Sequence, residues 1–93
     1  MPTSHINSAC TSIIYIRKDH TVSALIIADF AKILFEMSIS DFLVLDYTDH
    51  NIEDQLHNFN FLRYYPQSNP NTLAAIMNDP MKYLFNQNFC VLD

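Results

Sequence analysis

The chain has 93 residues, 49% of them apolar and only 16% charged, with no glycine and a formal net charge of −5. That length predicts one small domain, which hides roughly 60–65% of its unfolded surface and is too apolar for disorder. Five cations (Arg17, Lys18, Lys32, Arg63 and Lys82) against ten carboxylates argue against a nucleic-acid grip, which rests on neutralising several phosphates.

Residues 1–10, "MPTSHINSAC", are polar and are expected to form a flexible N-terminal segment ahead of a single α/β domain over residues 11–93. They show neither the basic nor the apolar region of a signal peptide, so a cytoplasmic protein is expected. "TSIIYIRK" (11–18) is β-branched and aromatic and reads as a strand. With Thr21 as N-cap, "VSALIIADFAKILFEMS" (22–38) reads as a helix of about 16 residues. Its charged residues, Asp29, Lys32 and Glu36, are spaced three and four apart and form one narrow stripe. The rest of its circumference is apolar or small. Such a helix must be sandwiched by other elements or meet a partner with its spare face. The run is too short, and too interrupted by charge, to span a bilayer.

"DFLVLDY" (41–47) is nearly all apolar, as in a central strand buried on both faces. Strand, helix and strand with short links predict a parallel βαβ unit. Asn51 then caps a short helix with Glu53 and Asp54 in its first turn. "NFNFLRYYP" (58–66) is read as a strand. Asn69 before Pro70 and Asp79 before Pro80 predict two helix starts, hence a helix broken near residue 79. "FCVLD" (89–93) closes the chain as a strand. The order suggests a ferredoxin-like β-α-β-β-α-β plan with an inserted short helix. If residues 58–65 are helical instead, a three-stranded parallel sheet remains.

The absence of glycine bears on function. Phosphate-cradling loops, the dinucleotide fingerprint and the nucleophile elbow need glycine where the backbone approaches a ligand or takes positive φ. No glycine or tryptophan, beside abundant Ile, Asn, Tyr and Phe, also resembles short reading frames of AT-rich viruses and mobile elements, and such an origin is expected.

"RKDHT" (17–21) and "YTDHN" (47–51) each place Asp-His between a strand and a helix. If the two strands are parallel neighbours, these turns lie side by side where open parallel sheets form ligand crevices. His20, Asp46, Asp49 and His50 could then hold a divalent metal such as zinc, with Asp19, Asp54 and His57 near by. The plainer reading is that these residues cap and solvate ordinary turns. Cys10 or Cys90 could pair with a histidine for nucleophilic catalysis, but Cys90 lies in an apolar strand, where a thiol is inert. Two buried free thiols are expected. One disulfide between them would require an oxidising compartment.

Phe59, Arg63, Tyr64 and Tyr65 have the aromatic and arginine bias of interfaces, with Tyr64 or Tyr65 partly exposed. A chain so sparsely charged for a lone monomer points to a small non-enzymatic interaction, inhibitor or adaptor protein. It would bind a protein partner, itself as a homodimer, or both, with no cofactor, nucleic acid or membrane. The competing reading is a small metal-dependent enzyme or ligand-binding α/β domain built on the His/Asp turns.

Overall fold

The computed structural model describes residues 11–56, 61–86 and 88–93. The expected N-terminal segment, together with Phe59 and His57, lies outside them. Four strands form: β1 (Ser12–Arg17), β2 (Phe42–Asp46), β3 (Leu62–Tyr65) and β4 (Phe89–Leu92). Helix α1 (Ala24–Glu36) joins β1 to β2, and a 3-10 turn (Glu53–Gln55) lies between β2 and β3. Helices α2 (Pro70–Asn78) and α3 (Pro80–Tyr83) precede β4.

The protein is an α/β domain with one parallel sheet in the order β3-β2-β1-β4. The parallel β1-α1-β2 unit forms as its short links require, and residues 62–65 are strand rather than helix. The antiparallel pairings of a ferredoxin-like sheet do not occur. Each strand here is followed by a crossing back to the same end of the sheet, which parallel pairing demands. The chain moves outward from β1 through β2 to β3, then returns over the sheet to place β4 on the far side of β1. This is the order of the first four strands of a doubly wound sheet.

With right-handed crossovers, outward and returning connections must cover opposite faces, and the two cores follow that rule. Ile13, Phe42 and Val44 point toward α1 and pack with Ala24, Ile27, Ala31, Leu34, Ile52 and Leu56. The alternate positions, Ile14, Leu43 and Leu45, pack with Ile76 and Leu84 on the other face. β2 is buried at all five positions, which accounts for its unbroken apolar sequence.

The helix ends show how a chain without glycine terminates its elements. Ser23, two residues beyond Thr21, caps α1, while the Thr21 amide donates to Asp19 Oδ1 at 2.9 Å. At the other end the Ser38 amide donates to the Phe35 carbonyl at 3.0 Å and the Ile39 amide to the Leu34 carbonyl at 2.9 Å. That paired pattern needs a left-handed residue, usually glycine, and here Ser38 takes it at φ 66°. Gln67 does the same at φ 56° in the turn after β3. Asn69 forms a full capping box with Thr72 at the start of α2, whereas Asp79 makes no side-chain cap at α3.

Cys90 on β4 is disulfide-bonded, which corrects the expectation of a free thiol. The sequence's only other cysteine, Cys10, lies outside the described residues. Among the described residues no helix is long and apolar enough to cross a membrane.

Candidate functional site

Arg17 ends β1 and Asp46 ends β2, and the parallel register sets them side by side. A charge at that position is screened from water by both connecting loops, and the Arg17 side chain is 0% exposed. Such a group is stable only if every donor is used. Nη1 donates to Asp46 Oδ2 at 2.6 Å, Thr48 Oγ1 at 2.8 Å and the His50 carbonyl at 2.7 Å. Nε donates to the Val22 carbonyl at 2.8 Å, and Nη2 to the His20 carbonyl at 3.1 Å. Nη2 also lies 3.0 Å from His50 Nδ1. A guanidinium can only donate, so this imidazole accepts through Nδ1 and carries its proton on Nε2. One side chain thus ties the loop after β1 to the loop after β2.

Asp46 is equally saturated. Its Oδ1 accepts from the Thr48 amide at 2.8 Å and the Thr48 hydroxyl at 2.6 Å, and its Oδ2 also accepts from the Tyr64 hydroxyl. Burial opposes its ionisation, but the hydrogen bonds from Thr48, Tyr64 and Arg17 outweigh burial and hold its pKa below the ordinary carboxylate value. Tyr64 is pushed up to about 12, first by burial and then by its bond to Asp46. The Tyr64 oxygen in turn accepts from the Ile52 amide at 3.1 Å.

A matching tie closes the opposite end of the same two strands. Asp41, 0% exposed, accepts from the Ser12 hydroxyl at 2.7 Å, the Phe85 amide at 2.9 Å and Arg63 Nη2. Arg63 also donates to the Tyr83 carbonyl and stacks over the Phe85 ring, 4.7 Å from its centroid. Ser12–Asp41 and Arg17–Asp46 have the same sequence separation of 29, so one strand register produces both.

These contacts decide what the sequence candidates do. The Asp-His turns converge as expected, and Asp46 meets His50, but on the Arg17 guanidinium rather than around a cation site. His20 contributes its carbonyl to Arg17, and Asp49 is exposed at the rim of a polar cavity of about 250 Å³ with Tyr47, Asn51 and Gln67. Among the described residues no group of three or more His, Cys, Asp or Glu side chains is placed to hold a metal ion. A fixed positive charge, the Arg17 guanidinium, occupies the place where the Asp46 carboxylate and the His50 imidazole meet.

Arg63, Tyr64 and Tyr65 are half-buried. Arg63 and Tyr64 hold internal ties and Tyr65 packs on the α2 side of the sheet, while each keeps part of its surface open to solvent. Exposed apolar side chains lie beside them at Phe85, on the helices before β4 at Met77 and Met81, and in greater number on the first helix. On α1 and its cap, Leu25 is 71% exposed, Phe35 61%, Ile26 53%, Ile33 52% and Met37 48%. Beside Ile26, an apolar groove of about 280 Å³ runs between α1 and β4, walled by Tyr15, Val22, Phe30 and Leu92. In the sequence Arg17 stands out only as one of five cations. The available signal was opposite charge on the last residues of two strands whose first residues also align.

Comparison with protein-family models, curated proteins and solved structures finds no match to this chain.

Proposed function

We propose that this protein is a small non-enzymatic interaction module that binds a protein partner, including a second copy of itself, through the outer face of α1. The supporting observation is the group of large apolar side chains on α1 and its cap, each about half or more exposed. Ile26, Ile33 and Met37 share one flank of α1 beside its charged stripe, and exposed apolar surface of this kind marks contact sites on soluble domains. The polar cluster at the carboxyl ends of the strands supports the same reading. Arg17, Asp46 and Tyr64 are consumed by one another, and a catalytic acid or base needs free hydrogen-bonding reach toward a substrate. An inhibitor or adaptor of viral or mobile-element origin, acting on a host protein, is the role we attach to this binding, on composition alone.

Location turns on one thiol. A disulfide at Cys90 persists in an oxidising compartment, whereas the cytoplasm expected from the sequence would keep the cysteine reduced. Alkylation of thiols in intact cells before lysis separates the two.

Light scattering across a concentration series tests the function. The wild-type chain is expected to associate, and Ile26→Asp combined with Ile33→Asp to abolish association while leaving the circular dichroism spectrum native. Both positions are half-exposed, so folding does not depend on them. A doubly substituted chain that associates as strongly as the wild type would remove α1 from the interface.

A further inference from the structure

We infer that the partner of α1 is α1 of a second copy, packed antiparallel about a two-fold axis that passes beside Phe30. This rests on the reading of α1 as an interaction face. In an antiparallel pair of identical helices, each flank faces the same flank of its copy, and residues meet when they lie about equally far from the axis along the helix. With the axis beside Phe30, the apolar flank is self-matching. Ile26 meets Ile33 of the copy, Phe30 meets Phe30, and Met37 reaches the Val22 end of the groove between α1 and β4. The lining of that groove, which includes Val22, Ile26, Phe30 and Leu92, is almost wholly apolar, and Met37, 48% exposed, is an unbranched side chain suited to it.

The polar flank matches in the same register, and this argues for a second copy over an unrelated partner. Asp29 and Lys32 are both exposed and lie one residue before and two after Phe30. Each therefore comes within reach of its opposite on the copy, giving two reciprocal Asp29–Lys32 pairs. A chain of net charge −5 meets itself with least repulsion where its surface is uncharged or alternates in sign. The α1 stripe does so, with one of the chain's five cations between Asp29 and Glu36.

Sedimentation equilibrium on the full chain tests the register with two charge reversals. D29K alone sets lysine against lysine at both contacts, and K32D alone sets aspartate against aspartate. Each is expected to weaken dimerisation by about tenfold or more. An equal mixture of the two variants restores opposite charges at both contacts, and is expected to form a heterodimer at wild-type strength. Both residues are exposed, so native circular dichroism is expected throughout. If single reversals leave the dimer intact, or the mixture does not recover it, the two-fold register is overturned while α1 stands as an interaction face. A wild-type chain that stays monomeric at all concentrations overturns self-association itself.

Discussion

Replacing Arg17 by methionine removes the guanidinium while keeping much of the side chain's volume. The structure allows the cost to be worked out. Asp46 keeps Thr48 and Tyr64 but loses its one charged partner among the described residues, and the carbonyls of His20, Val22 and His50 lose the Arg17 donor. Removing one member of a buried ion pair costs about 3–5 kcal/mol, because the remaining charge stays buried without compensation. A domain of this size holds about 5–15 kcal/mol in all. With a urea slope of about 1–2 kcal/mol per molar, the unfolding midpoint should fall by about 1.5–5 M, read by circular dichroism. Arg17→Lys keeps the charge but has three donors for the same acceptors, so it should fall between wild type and Arg17→Met. Arg17→Met with Asp46→Asn should cost less than the two single losses added, because the pair acts as a unit. An Arg17→Met chain within about 1 kcal/mol of wild type would refute the claim that this pair holds the two loops.

Titration should show two separate losses of stability. Asp46 ionises more readily in the folded state than unfolded, so its contribution is complete above the unfolded pKa near 4 and disappears as pH falls through the lower folded value. Tyr64 is raised from 10.0 to about 12, so its contribution is complete below pH 10 and is lost as pH rises through 12. That shift is worth at most about 3 kcal/mol. Tyr15, raised mainly by burial, acts in the same direction, so Tyr64→Phe should shrink the alkaline loss without abolishing it; an unchanged alkaline midpoint in urea melts at pH 9 and 12 would contradict the Tyr64 assignment. Ser38→Gly relieves a left-handed conformation that costs a residue with a side chain about 1–2 kcal/mol. After the added freedom of the unfolded chain, a net gain of up to about 1 kcal/mol should appear in urea melts, and a loss would show that the Ser38 side chain matters in itself. Reducing the Cys90 disulfide should lower stability by about 2–4 kcal/mol, and protein purified without reductant should show no thiol to Ellman's reagent after denaturation.

Local chemistry specified most of the elements. A β-branched run became β1 and a nearly all-apolar run became β2, the proline after Asn69 set the start of α2, and the proline at 80 divided α2 from α3. Short links between strand, helix and strand were enough to predict the parallel pairing of β1 and β2. The direction of β3 and β4 was not legible. Four short apolar strands satisfy parallel and antiparallel plans equally well in one dimension, and the choice depends on which end of the sheet each connection returns to. The excess apolar surface of α1 was legible, because a helix with only one charged stripe in a chain this short exceeds what one sheet can cover.

The sequence by itself determined an α/β chain with a surplus of apolar surface and no glycine-built catalytic loop, since periodicity, capping residues and composition are local properties. Only the tertiary structure decided what the charged residues do. Register placed Arg17 beside Asp46 and Asp41 beside Ser12 and Arg63, and burial there made each of these charged groups part of an internal tie. A buried charge takes whichever opposite charge the strand register brings within reach, and that register is a property of the paired strands rather than of either alone.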